Sequence, residues 1–202
     1  MQKSLAGYSL GHIAEQLRSD VEMCRACPLG MQRQRVVFGQ GKMSTDLMLI
    51  GEAPGAEEDE QGVAFVGKAG QLLTKILEAA TISRDDIFIT NVVKCRPPQN
   101  RNPSTDEVIA CNKFLEAQIA IISPKIIVTL GNVPTRWFLK TSEGITSLRG
   151  RWFDWRGISL MPLYHPSYLL RNQSRAKGSP KDLTWNDIKE VKKRWDKVKL
   201  GD

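Results

Sequence analysis

The sequence predicts a single α/β domain, a three-layer sandwich in which a central four-stranded parallel sheet is flanked by helices. Three observations predict it. Four short runs are rich in β-formers and apolar on both faces, as strands covered on two sides must be. Helical patterns lie between those runs, the order expected of a parallel sheet. The chain has 202 residues, 41% of them hydrophobic, enough for one substantial core, and it shows no repeat or low-complexity linker.

The elements follow in order. An amino-terminal helix is expected within residues 1–23, with His12 as a surface or cap residue. The first strand is residues 46–50 (DLMLI). A helix over residues 69–80 places Leu72, Leu73, Ile76 and Leu77 on one face. The second strand is residues 86–90 (DIFIT). After Pro103, Ser104 and Glu107 have capping-box spacing and open a helix over residues 104–122. Residues 125–130 (KIIVTL) and 158–163 (ISLMPL) are the third and fourth strands. His165 precedes Pro166, so its backbone is extended and a helix begins at Pro166. A last helix, residues 183–200, carries Trp185, Ile188, Val191, Trp195 and Val198 at helical spacing. It reads as a docked helix with a solvated Lys/Arg face, or alternatively as a stripe for a nucleic-acid backbone.

In open parallel sheets, sites form in the loops that leave the carboxyl ends of strands. GEAPG (residues 51–55) follows the first strand, Asn91 the second and His165 the fourth. Three polar signals therefore exit one edge of the sheet.

The net charge of +7 suggests an anionic partner without specifying a reaction. It is uneven: residues 171–202 hold ten Lys/Arg against five Asp/Glu, whereas residues 52–60 hold five carboxylates. No run is apolar over the ~18 residues a membrane helix needs, and the start lacks a signal-peptide core, so a soluble cytoplasmic protein is expected. Nothing suggests a dimer seam, and a monomer is expected.

The four cysteines are Cys24, Cys27, Cys95 and Cys111. Two disulfides are out of place in a cytoplasmic chain of this size. Four thiolates suit zinc or an iron–sulfur cluster, and the wide separation of Cys95 from Cys111 leans toward the cluster. Such a site would tie the amino-terminal segment to the loop after the second strand. Buried thiols without metal are the plain alternative.

GEAPG is not a phosphate cradle, because Pro54 removes a donor and Glu52, Glu57, Glu58 and Asp59 repel phosphate. A carboxylate-rich loop at a strand end suits a hard metal, activation of water, or support of a developing cation. Cleavage of a glycosidic bond needs the last two, since its transition state resembles an oxocarbenium ion. A solvated acidic turn is the alternative for residues 57–60. Phe65 is either core packing or a stacking plate for a base. Asn91 is either a turn residue or a reader of an N–H and carbonyl edge such as that of uracil, which cytosine does not present. His165 is either structural or a donor to an oxygen on which negative charge grows.

Taken together, GEAPGAEEDEQG and AFVGKAGQLL, then TNVVKCRPPQNRNPS, then HPSYLL, with Cys24, Cys27, Cys95 and Cys111, closely resemble the type-4 uracil-DNA glycosylases. The resemblance runs from about Cys24 to Leu170, and the motifs in this order are specific. It implies a [4Fe–4S] cluster on the four cysteines and a uracil pocket built from Gly51, Glu52, Ala53, Phe65, Asn91 and His165. It implies that the chain excises uracil from DNA, leaving an abasic site. A related branch traps uracil covalently through a histidine in a basic insertion; no such insertion follows Cys95, and hydrolytic turnover is expected.

On that basis Phe65 stacks on a flipped uracil, Asn91 reads it and His165 stabilises the leaving anion. Glu52 is the first candidate for positioning water, with Glu58 and Asp59 behind it. Ser167, Tyr168, Leu169 and Arg171 are expected to contact the backbone and fill the space the flipped nucleotide leaves. Two other classes are a non-catalytic iron–sulfur DNA-binding module and an iron–sulfur redox protein. The first needs no ordered base pocket, and the second does not explain why the polar residues converge away from the cysteines.

Overall fold

A computed structural model describes residues 9–201. The part of the expected amino-terminal helix that falls on residues 1–8 lies outside the described residues. In chain order the elements are α1 (Leu10–Met23), α2 (Leu29–Gln32), β1 (Gln40–Gly41), β2 (Leu47–Gly51), α3 (Ala56–Gln61), α4 (Lys68–Ala79), β3 (Phe88–Asn91), α5 (Thr105–Ile122), β4 (Ile126–Leu130), α6 (Asn132–Leu139), α7 (Ile145–Leu148), β5 (Phe153–Trp155), β6 (Ile158–Leu163), α8 (Pro166–Arg171) and α9 (Pro180–Leu200).

The strands form one sheet in the order β1-β3-β2-β4-β6-β5. β3, β2, β4 and β6 are mutually parallel and are the four strands read from the sequence. The four-stranded expectation is corrected at both edges. Antiparallel β1 pairs with β3, and antiparallel β5 pairs with β6. These edge strands span two and three residues, too short to leave a periodic signal. The β5–β6 hairpin turns through Arg156 and Gly157, both left-handed (φ 55° and 79°), the geometry that a two-residue hairpin loop requires.

The pleat decides the layers. Leu47, Leu49, Ile87, Ile89, Ile126 and Val128 face one side, where Leu73 and Leu77 of α4 and Ile188, Val191 and Trp195 of α9 cover them. The intervening Met48, Ile50, Phe88 and Ile127 face the other, against Val21 of α1, Leu29 of α2 and Phe114, Leu115 and Ile119 of α5. Alternate residues of each strand thus feed two separate cores, which is why the runs are apolar throughout. Ser104 accepts from the Glu107 N–H at 3.3 Å, and the Glu107 carboxylate accepts from the Ser104 N–H at 2.7 Å, the reciprocal cap that the sequence announces.

α9 begins at Pro180, capped by Ser179, three residues earlier than its apolar spacing indicates. Its apolar face is docked, and the buried Asp187 pairs with Arg149 at the end of α7, whose Nε donates at 2.6 Å. Trp185 departs from that face and is 39% exposed, with the Lys189 ammonium 5.5 Å from its ring centroid. Among the described residues no helix is long and apolar enough to cross a membrane.

Candidate active site

β2 and β3 end in register, and the last pair is Gly51 opposite Asn91. The ladder continues one step, with Val92 N–H donating to the Gly51 carbonyl at 2.9 Å. This pairing puts the first two motifs side by side at the carboxyl edge of the sheet. β6 ends at Leu163 two strands away, and His165 follows as the N-cap of α8. These ends, together with the loop after Cys95, enclose a cavity of about 620 Å³, within the range of small-molecule sites (~300–1,000 Å³).

Asn91 is 1% exposed, and its Oδ1 is buried without a hydrogen-bond partner. A buried amide oxygen left unmatched costs on the order of 1–3 kcal/mol, so its retention on a cavity wall marks a place for a ligand's N–H. Gly51 is what leaves room there. A Cβ on it would lie 2.4 Å from Asn91 Oδ1 and 2.5 Å from Phe65 Cζ. Any side chain at position 51 would occupy the space between the aromatic ring and the amide.

Phe65 stands against this space with its ring centroid 6.0 Å from that of His165, the planes tilted by 36°. Its backbone is left-handed (φ 55°), uncommon for a bulky residue. Glu58 secures the segment that follows. Its carboxylate accepts from Val66 and Gly67 N–H at 2.9 Å each and from Gly55 N–H at 3.0 Å, so the GEAPG loop and the Phe65 loop share one anchor.

His165 has its tautomer set by its own helix. Ser167 N–H donates to Nδ1 at 3.2 Å, and the Ser167 hydroxyl lies 2.8 Å from the same nitrogen. An acceptor at Nδ1 leaves the ring proton on Nε2. Burial, reinforced by the Arg171 cation and opposed by Glu58, lowers the imidazole to about 4 from 6.5. At neutral pH it is therefore an uncharged N–H donor.

Glu52 also lines the cavity, half-buried and with no side-chain hydrogen bond to another described residue. Desolvation raises its pKa above the usual carboxylate value of 4.5. A carboxylate whose proton affinity is raised by burial, on the wall of a cavity, is suited to taking a proton from water.

Of the residues that the sequence assigns to the base pocket and its DNA contacts, Glu52, Ala53, Glu58, Phe65, Asn91, His165, Ser167, Tyr168 and Arg171 line this one cavity, and Gly51 lies behind it against Asn91 and Phe65. Two do not. Asp59 is 3% exposed and turned away, its Oδ1 accepting from Gln34 N–H at 3.0 Å and from Arg35 N–H, so it holds the segment before β1 and cannot reach the cavity. Leu169 is 1% exposed and packs with Ile145 and Tyr164, so it is core and not available to enter a duplex. Glu58 faces the cavity but its oxygens are committed to three backbone donors.

Sequence reading missed several contributors. Asn100, Arg101 and Asn102, from the loop between Cys95 and Cys111, form part of the cavity wall. They lie within the TNVVKCRPPQNRNPS motif, but no role was read for them individually. Lys94 is 1% exposed, and its ammonium donates to Thr90 Oγ1 at 2.7 Å, Asn91 carbonyl at 2.8 Å and Gln118 Oε1 at 2.6 Å. It fixes the backbone of Asn91 from behind. Burial lowers its pKa to about 8, opposed by Cys111 and Cys95.

The four cysteines surround a second, much smaller cavity together with Arg33 and Lys94. Arg33 Nη1 donates to Cys95 Sγ at 2.9 Å and Lys94 N–H to Cys111 Sγ at 3.3 Å. Burial pushes the Cys111 thiol up to about 11 and raises Cys95, so neither is a thiolate without added positive charge. Among the described residues no three Cys, His, Asp or Glu side chains close on a single point as ligands of one ion would. The thiols instead sit around the cavity with N–H donors aimed at sulfur, an environment that fits a sulfur-ligated polynuclear group.

Comparison with known proteins identifies a family. A family model described as the uracil DNA glycosylase superfamily matches residues 38–189. A type-4 uracil-DNA glycosylase of Thermotoga maritima is 47% identical over 187 residues, 92% of this chain and 96% of that one. Type-4 uracil-DNA glycosylases of Sulfurisphaera tokodaii and Saccharolobus solfataricus are 45% and 43% identical, over 84% and 77% of this chain and 81% and 76% of theirs.

Proposed function

Since the chain belongs to the uracil-DNA glycosylase superfamily, we propose that it excises uracil from DNA by hydrolysing the N-glycosidic bond and leaves an abasic site. The observation that carries this is the buried, unpartnered Oδ1 of Asn91 at the cavity floor. Uracil brings an N3–H to that oxygen and an O4 to the amide N–H₂. Cytosine brings a lone pair to the oxygen and a donor to the donor, which leaves buried groups unmatched at ~1–3 kcal/mol each. Phe65 stacks on the base once it has left the helix.

Bond cleavage places negative charge on uracil and positive charge on the sugar. The Nε2–H of neutral His165 donates to the uracil oxygen on which the charge grows. An uncharged donor suits an anion that departs without being protonated. Glu52 lines the same cavity, and in this reading its carboxylate orients water for attack and offsets the sugar cation. Glu58 keeps both loops in place. At the mouth, exposed Tyr168 fills the space the nucleotide leaves, and Ser167, Arg171 and Arg101 meet the phosphate backbone.

In this reading Cys24, Cys27, Cys95 and Cys111 would hold a [4Fe–4S] cluster, with Arg33 donating to the sulfur of Cys95 and the Lys94 backbone N–H to that of Cys111. Such a cluster would supply cross-linking, tying the segment between α1 and α2 to the 95–111 loop, whose Asn100, Arg101 and Asn102 line the cavity. The protein acts as a cytoplasmic monomer. A DNA-binding module without catalysis, or an electron carrier, has no use for an orphaned acceptor on the wall of this cavity.

The test is incubation of purified protein with a uracil-containing oligonucleotide, then alkali to break abasic sites. Strand breaks at uracil and none at cytosine are expected, and N91D narrows the gap between the two. An oligonucleotide that stays intact after alkali, or N91D rates equal to wild type on both bases, refutes the proposal.

A further inference from the structure

The stacking plate is held in an unfavourable backbone conformation, and one side chain outside the cavity accounts for it. We propose that Arg84 is a positioning residue for Phe65: its guanidinium locks the left-handed backbone that turns the ring toward the base. The proposal rests on the reading of Phe65 as the uracil plate.

Arg84 lies in a short turn just before β3 and does not line the cavity. Its Nη2 donates to the Ala64 carbonyl at 2.9 Å, and its Nη1 donates to the Phe65 carbonyl at 2.9 Å and to Thr74 Oγ1 at 2.8 Å. Two consecutive carbonyls and a hydroxyl on one helix turn are thus gripped by one planar fork. A lysine, with a single point of charge on a flexible stem, cannot reproduce this. The grip is needed because Phe65 has φ 55°, a region that bulky residues avoid unless their surroundings over-determine it. Residue 70 supplies a second constraint. A Cβ there would lie 1.9 Å from the Phe65 carbonyl oxygen, so only glycine lets α4 press against the plate's backbone.

The position of Arg84 has a consequence for specificity. Through Thr74 it is fixed to α4, and through the chain it leads into β3, which ends at Asn91. Plate and edge reader are therefore referenced to one residue, and the width of the uracil slot depends on it. The long stem reaches from the edge of the sheet to the base of the plate, and no other described side chain donates to the Ala64 or Phe65 carbonyl.

The experiment compares wild type, R84K, R84M and T74V in the full chain. It reads single-turnover excision, inhibition by free uracil, and binding to uracil-free DNA. R84M should lower kcat/KM on the order of 10- to 100-fold, the scale of a misplaced active-site group. It should weaken inhibition by uracil in parallel and leave binding to uracil-free DNA unchanged. R84K and T74V should fall between it and wild type. A second measurement is a urea-unfolding cycle with F65G, where glycine accepts the left-handed backbone freely. The stability lost on R84M should shrink when residue 65 is glycine. Wild-type inhibition by uracil in folded R84M, or additive losses in the cycle, overturns the proposal. If R84M does not fold, T74V and R84K decide it by the same readouts. A wild type that releases no uracil would instead strike at the glycosylase reading, and the unfolding cycle would still report whether Arg84 holds residue 65.

Discussion

The imidazole of His165 makes a prediction whose sign and size follow from its surroundings. Its folded pKa is about 4, against 6.5 for an unperturbed ring, with desolvation the main cause. Between those values the unfolded chain binds a proton that the folded chain refuses, so this group's contribution to stability falls as the pH drops through the window. The difference of about 2.5 units corresponds to ~3 kcal/mol, an upper figure because the ring faces an open cavity. Urea unfolding of wild type and H165N from pH 7.5 to 4.5 checks it. The wild type should lose stability more steeply below pH 6.5, and the two curves should run parallel above it. Activity separates the two titrating groups. His165 stays neutral down to about pH 4, so the acid limb of the excision rate belongs to Glu52, whose pKa lies above 4.5 and which must be ionised to act. E52Q should lower the rate and abolish that limb. Equal pH slopes for wild type and H165N, or a rate inflection near pH 6.5 that H165N removes, would refute the reasoning.

Two further outcomes are expected. G51A brings a methyl group within 2.4 Å of Asn91 Oδ1 and 2.5 Å of Phe65 Cζ, so one of them must move. Single-turnover assays should show kcat/KM down roughly 100-fold in a protein that still folds. L169A and Y168A should part company, although the residues are adjacent. Buried Leu169 should cost ~2–5 kcal/mol in urea unfolding, whereas exposed Tyr168 should leave stability nearly unchanged and weaken excision from duplex DNA.

The parallel core was legible because its strands are buried on both faces, which writes each of them as an unbroken apolar run. The edges were not, since β1 and β5 are too short to show a period; the Arg156–Gly157 turn was the one local sign of the second. At the site, Gly51, Asn91 and His165 stood out because each lies at or just past the end of a strand, and strand ends converge by topology alone. The acidic loop was a different case. Glu52, Glu58 and Asp59 are chemically alike in the sequence, and only the fold separates them, giving Glu58 three backbone N–H groups, Asp59 those of Gln34 and Arg35, and Glu52 none. Leu169 was misread for a related reason: α8 has six residues, too few for periodicity to tell its inner face from its outer one. Lys94 lies within the TNVVKC motif, but nothing there announced its burial, and Arg84 lay in no motif. A buried lysine is rare enough that sequence reading places it on the surface, and Gln118, which completes the Lys94 site, and Ala64, Phe65 and Thr74, which hold Arg84, lie 10 to 24 residues away.

The central claim is that an extruded uracil docks with its N3–H on Asn91 Oδ1. Titration of free uracil into protein with ¹⁵N-labelled asparagine, followed by the side-chain amide resonance of Asn91, tests it most directly. The account predicts a saturable shift of that resonance with uracil and none with cytosine, and loss of the uracil response in G51A. An Asn91 amide that ignores uracil, or answers both bases alike, would contradict it.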